Sequence, residues 1–516
     1  MSEYDARGVT TDFDARGVDV TGGLARETNW WGAFVIGLSG TVLLITLLPF
    51  TLLYLGGFSI VLYFFFTALG VFLCFCLAEM AAAWPERAGG LPSYAFESFK
   101  PIGRRTSEHI GGLSSWGYWL GWYAVAPINA YVAAVYFNDL FDISYGGSFG
   151  PINEKFGAEI AVSNFITAAI FLVALFIPCW LGIRFGATFA TVLGVLTIIP
   201  LVFLIIMPIF DPGSFSWSKL DDFGLPPDVD GTFQYIAGWS FIYCWNVLAM
   251  EAAACYIGEC REPARDAKIA LTAEGAFGFF VYLLLPIAVF GVLGYAGVVA
   301  LGTVDVPYAG DAATLYNGYV DAIFGASDFW RWFVGLFIIV ALLLSVLNAI
   351  MGCSRGLFQN AHDGILPKAF SWVNSHHVPS FAMLFSLAFS IGTLCLGSPL
   401  QIYVFSNMGY LFAVAMSLVG YGIFRATRDD YPRPIVWPKW LGPFGLLVGI
   451  FFLLLWAIGG YFAADYAVGS GYRWLYWVGL ILLTLYFPLY YWRKLEDRSG
   501  GGEAPVPVTG SEGGSG

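Results

Sequence analysis

The run Phe34–Phe50 reads FVIGLSGTVLLITLLPF. It is apolar enough to enter a bilayer, yet Gly37, Ser39 and Gly40 sit together about a third of the way along it. Two glycines and a serine lower the helix propensity of the stretch that holds them. Small residues also let a solute, or another backbone, come close to the chain. The run therefore predicts a membrane-spanning helix that unwinds near Gly37–Gly40. A half-helix would restart near Thr41, and its free N–H groups and partial positive charge suit a carboxylate. Close helix–helix packing through the same small residues is the alternative reading.

Similar apolar runs recur along nearly the whole chain. Of its 516 residues, 58% are hydrophobic and only 12% are charged, against about 25% charged in a soluble domain. That leaves too little polar surface for a water-exposed globule, so lipid is the solvent. With Gly, Pro and charge as punctuation, twelve helices are predicted, over 32–53, 57–83, 113–138, 158–180, 186–209, 233–257, 269–298, 330–359, 380–397, 400–424, 443–464 and 472–492. An even count puts both tails on one side. With both inside, every Lys and Arg except Lys155, Lys219, Arg331 and Arg473 falls in an inner segment, as positively charged inner loops require. The expected fold is an all-α multi-pass protein of the plasma membrane with both termini cytoplasmic.

Residues 1–29, which repeat DARGV at Asp5–Val9 and Asp14–Val18, read as a disordered tail, as do the Gly/Ser/Pro-rich residues 499–516. No His/Cys cluster has metal-ligand spacing, and no Ser/His/Asp set stands out. The chain is therefore expected not to be an enzyme, to need no cofactor and to bind no nucleic acid. Its partners are the bilayer and a small-molecule solute, and it is expected as a monomer or homodimer.

A second broken run is Phe233–Glu259, FQYIAGWSFIYCWNVLAMEAAACYIGE. Glu251 lies inside it as the one ionisable residue read at depth, where a charge costs about 2.5–3.5 kcal/mol. That makes it a functional candidate; a neutral Glu bonded to backbone at a bend is the plainer reading. Trp245 and Asn246 precede it. Breaks in the first and sixth spans, five apart, fit a five-plus-five inverted repeat with a solute site where the repeats meet. In the third run Pro127 kinks the helix; Asn129 either faces that site or serves only to repair the kink. Near the inner face, Glu79 and Arg355 are expected to pair as a gate.

Three inner segments carry a resemblance. AEMAAAWPERAGGLPSYAF (Ala78–Phe96), GECREPARDAKIAL (Gly258–Leu271) and GCSRGLFQNAHDGILPKAF (Gly352–Phe370) resemble motifs of the amino acid–polyamine–organocation permeases, in the same order and at the same helix ends. The resemblance covers the first ten spans; residues 426–498 add two more by hydropathy alone. It implies a ten-helix core over 30–425, with discontinuous first and sixth helices, that moves amino acids by alternating access. Polyamine or amine transport, and exchange by the same fold, stay open; a non-transporting nutrient sensor is the alternative from another class.

The resemblance also implies site residues. Gly37, Ser39, Gly40 and Thr41 would meet the solute through backbone, and Trp245 falls on the aromatic gate, where its face also suits a cationic amine. Ala249 stands where a glycine is common, which narrows access to the backbone. Glu251 falls on the helix 6 glutamate and offers proton coupling. Thr197 replaces a lysine that some members carry. With Ser345 and the Gly37 carbonyl it supplies oxygens of the kind sodium takes, so sodium coupling is the other reading.

Overall fold

The computed structural model describes residues 3–4, 10–13, 19–21, 23–153, 155–223, 231–301, 310–428 and 431–499. Eleven of its helices are long and apolar enough to cross a membrane. The remaining expected crossing, the ninth, coincides with an apolar helix of only 15 residues, Ser380–Leu394. The third, seventh and eighth spans run past their apolar cores, as Arg104–Leu140, Pro263–Ala300 and Asp328–His362. Helix propensity does not stop where hydropathy does.

The first span is built of three pieces, Trp30–Gly37, Ser39–Val42 and Leu44–Leu55. Asn29 starts it: its side-chain oxygen accepts the Trp31 and Gly32 N–H groups at 3.1 and 3.2 Å, which satisfies two otherwise orphan donors. The joints, Leu38 (φ −48°, ψ −27°) and Leu43 (φ −59°, ψ −21°), keep right-handed helical angles. The break is therefore slighter than the expected unwinding. Thr41 does not open a half-helix with a free N–H; it donates to the Leu38 carbonyl at 3.0 Å. Leucine is a good helix former, and a tightened bond three residues back satisfies the donor without leaving the helix.

The sixth span is helical over Thr232–Val247 and continues as 12 residues of 3₁₀-helix, Leu248–Glu259. Such runs rarely exceed 3–4 residues, and long ones mark hinges. The third span divides into Arg104–Tyr123 and Val125–Leu140 at Ala124, because the Pro127 ring excludes a bond to the carbonyl four residues earlier.

At one end of the bundle, the stretch read as a disordered N-terminal tail is paired instead. Glu3–Tyr4, Thr10–Phe13, Asp19–Thr21 and Leu24–Ala25 form a short antiparallel sheet in that order. The Thr28 N–H donates to the Glu259 carbonyl at 3.2 Å, and the Arg261 N–H to the Thr28 carbonyl at 3.1 Å. These bonds tie the entry of the first span to the exit of the sixth. The last described helix, Tyr486–Ser499, reaches the same end, where the Lys368 N–H donates to Glu496 at 2.8 Å. Both copies of DARGV and residues 500–516 lie outside the described residues.

A candidate solute site at the helix breaks

The first and sixth spans touch at their breaks. A Cβ added at Gly40 would lie 2.0 Å from the Ala249 carbonyl oxygen, so Gly40 is what lets the two backbones cross. Close packing through small residues is what the structure displays here. The loosened carbonyls are capped by hydroxyls from neighbouring spans: Tyr282 of the seventh lies 3.0 Å from the Gly40 carbonyl and 2.8 Å from that of Asn246. Ser345 of the eighth donates to the Ser39 carbonyl at 3.0 Å. A hydroxyl has one proton, so Tyr282 serves one break at a time.

Glu251 is fully buried in the 3₁₀ segment. Three aromatic donors hold its Oε1: Tyr118 at 3.1 Å, Tyr410 at 3.2 Å and Trp122 at 3.4 Å. The Tyr118 hydroxyl also meets Cys255 Sγ at 3.0 Å. Trp122 and Tyr410 line a narrow crevice with Leu43, Gly121, Val125, Trp245 and Ala249, too small for a water molecule. Trp245 closes it edge-on to Tyr403, with ring centroids 4.2 Å apart and planes at 82°.

The structure thus brings two of the expected site residues, Trp245 and Ala249, together at one crevice beside donors to Glu251. Asn129 does not line that crevice; Val125, one turn earlier, does. The hydroxyls of Ser39 and Thr41 and the amides of Asn129 and Asn246 are buried without hydrogen-bond partners. Buried polar groups are nearly always paired, which sets these four residues apart from the bonded groups around them. Thr197 turns its hydroxyl back to the Leu193 carbonyl of its own helix at 2.8 Å.

Sequence reasoning misses Tyr118, Trp122, Tyr410 and Tyr282, since an aromatic residue in an apolar run carries no mark of its partner. It also misses Glu274, which makes Glu251 not the only acid at depth. The available signal was an ionisable residue inside a predicted span. Glu274 is buried in the seventh span, where its Oε2 accepts the Ala253 N–H at 3.1 Å.

The expected Glu79–Arg355 pair does not form. Glu79 meets Arg425 at 2.6 Å and the Tyr421 hydroxyl at 2.7 Å. Arg355 grips Glu259 with Nε on Oε1 and with Nη2 on Oε2 at 2.9 Å. A guanidinium prefers the carboxylate that meets both arms of its fork, and Glu259 lies at the sixth span's exit, facing Arg355. Beside this pair, Arg87 meets Asp363 through both terminal nitrogens, at 2.8 and 2.6 Å. Burial works against the Arg87 charge, but Asp363 and Glu97 outweigh it and hold the guanidinium above its ordinary range. A Cβ at Gly89 would lie 2.8 Å from the Gly356 Cα. The loop after the second span is therefore pressed onto the sixth and eighth spans, where the Gly89 N–H also meets the Cys255 carbonyl.

A family model described as "Amino acid permease" matches residues 29–487, and the chain belongs to that family. An uncharacterised amino acid permease of Bacillus subtilis is 31% identical over 24% of this chain and 28% of its own length. The L-lysine transport protein of Corynebacterium glutamicum is 28% identical over 54% of this chain and 51% of its own. An arginine/agmatine antiporter of Chlamydia trachomatis is 25% identical over 58% of this chain and 56% of its own. The chain thus spans about half the length, or less, of these curated relatives.

Proposed function

We propose that this chain is a secondary active permease that moves cationic amino acids, or the amines derived from them, across the cell membrane by alternating access. The observation that supports this most directly is Glu251. It is a buried carboxylate held by aromatic hydrogen-bond donors, and it takes part in none of the ion pairs among the described residues, which instead join Arg355 to Glu259 and Arg425 to Glu79. A solute ammonium or guanidinium supplies the counter-charge. The faces of Trp122, Trp245 and Tyr410 hold such a cation, at up to about 2 kcal/mol for a desolvated contact. The names of the lysine and arginine/agmatine relatives support the same substrate class.

The reading includes twelve crossings, with Ser380–Leu394 as the short ninth, a five-plus-five inverted repeat, both chain ends cytoplasmic, and a monomer or homodimer in the plasma membrane. Coupling is to protons rather than sodium: the buried acids Glu251 and Glu274 are there to take one, while the Thr197 hydroxyl is bonded within its own helix to the Leu193 carbonyl.

The test is purified protein in liposomes, given labelled lysine, arginine, agmatine and leucine under imposed proton and sodium gradients. Accumulation of the three cations, and not leucine, under a proton gradient is expected. Binding without movement of any of them would favour the sensor reading. Accumulation of leucine alone would overturn the cation reading.

A further inference from the structure

Glu274 has no place in the solute site as described, and its surroundings differ from those of Glu251. It lies about 8 Å past Ile269, where the apolar run of the seventh span begins, inside a hydrocarbon layer about 30 Å thick. One carboxyl oxygen accepts the Ala253 N–H of the 3₁₀ segment. The other, Oε1, has no hydrogen-bond partner. It fills the space over Gly37, where an added Cβ would lie 1.7 Å from Oε1 and 2.6 Å from the Ala253 nitrogen. A single carboxyl group therefore touches the last residue before the first-span break and the backbone beyond the sixth-span break.

We propose, resting on the permease reading above, that Glu274 is the group that binds and releases the coupling proton. Three aromatic donors satisfy the ionised form of Glu251, which leaves that carboxylate free to meet a cationic solute. Glu274 has one N–H and an oxygen pressed against Gly37, and among the described residues no basic side chain pairs with it. With the spans packed in this way, the cation it takes is a proton. When the first and sixth spans part, water reaches the carboxyl, its O–H bond breaks, and the proton leaves to that side. The emptied spans return with the carboxyl ionised, and it takes its next proton from the opposite side before they close around the next solute, so one proton crosses with each solute. Two buried acids in unlike surroundings thereby divide the work.

The titratable groups that face Glu274 are Cys74 of the second span and Glu251 of the sixth. The first span meets it with Gly37. Other charged residues on elements packed against the seventh span lie toward their ends: Glu79, near the end of the second span, pairs with Arg425, Glu259 ends the sixth and pairs with Arg355, Arg184 begins the fifth, Lys219 bonds to the Val292 carbonyl, and Asp321 is exposed.

The experiment uses the full chain in liposomes with labelled lysine and an imposed pH gradient. Glu274→Gln keeps an acceptor for the Ala253 N–H and is expected to fold with a near-native melting midpoint. Its lysine uptake should no longer respond to the gradient, whereas the wild type responds several-fold. A second measurement needs no gradient: a pH dye in weak buffer follows protons exchanged as lysine binds to purified protein. About one proton per lysine is expected for the wild type, and none for Glu274→Gln. Uptake by Glu274→Gln that still follows the gradient overturns the proposal. So does a proton signal kept in Glu274→Gln and lost in Glu251→Gln. Lysine uptake by the wild type that ignores pH also overturns it while leaving the permease reading intact; no uptake of any solute removes that reading instead.

Discussion

At the scale of single residues, the site is a matter of which groups complete each other. Trp245 stands over the crevice and packs on Tyr403. Replacing it with Leu keeps most of the buried apolar volume and removes the aromatic face. Lysine affinity, read by equilibrium binding, should fall about tenfold or more, as expected from a desolvated cation–π contact of up to about 2 kcal/mol, while the melting midpoint moves by only a few degrees. Equal losses of affinity and stability would make Trp245 a packing residue. Tyr410→Phe removes one of three donors to Glu251. It should weaken lysine binding by about 1–3 kcal/mol, as expected when a hydrogen bond to a charged group is deleted, with Tyr118 and Trp122 left to hold the carboxylate. Glu251 and Trp245 were legible in the sequence, one as an acid in an apolar run and the other by its place relative to the inner motif. Their partners were not. Tyr118 and Tyr410 come from the third and tenth spans, and hydropathy says nothing about which faces of distant helices meet.

At the scale of elements, the breaks depend on close approach more than on unwinding. Gly40→Ala would drive a Cβ to 2.0 Å from the Ala249 carbonyl oxygen. The backbones must then part, and a cost of about 1–3 kcal/mol is expected for overpacking of this kind. The variant should melt several degrees lower and lose transport. Gly392 of the ninth helix is the matching control: an added Cβ meets nothing within 4 Å there, and Ala should be neutral or slightly stabilising. A Gly40→Ala protein as stable and active as the Gly392→Ala protein would remove the close-approach argument. The glycine–serine cluster showed in the sequence that the first span is irregular. It could not show how far the chain departs from a helix, because Leu38 and Leu43 find helical angles once Tyr282 and Ser345 cap the carbonyls between them. Those caps come from more than two hundred residues away.

At the scale of the whole molecule, one end of the bundle is held by ion pairs whose members lie far apart in the chain. Arg355 and Glu259 are both buried, so removing one partner strands the other. Arg355→Ala should destabilise by about 3–5 kcal/mol, as broken buried pairs do, and the double variant Arg355→Ala/Glu259→Ala should recover part of that loss. Thermal unfolding in detergent measures both. A double variant no more stable than the single would mean that the pair is not a unit. The sequence reading singled out Glu79 and Arg355 but paired them with each other. The choice between Glu79–Arg355 and the observed Glu79–Arg425 and Arg355–Glu259 is geometric, since each guanidinium takes the carboxylate that its fork can face. The paired N-terminal strands are a similar case. Low hydropathy and a short repeat suggested disorder, whereas Thr28 forms backbone bonds with the end of the sixth span that composition does not encode.

What the sequence by itself determined is the solvent, the number of apolar runs to within the short ninth helix, the family motifs at the ends of the second, sixth and eighth spans, and the irregularity of the first and sixth spans. Each of these follows from local composition, because lipid demands apolar side chains and satisfied backbone within every crossing. Only the tertiary structure decided which carboxylate meets which donor, how mild the first-span break is, and that Glu274 lies against Gly37. Those outcomes depend on the approach of backbones from separate spans to within a few ångströms, and no run of the chain that opens with FVIGLSG records what will be packed beside it.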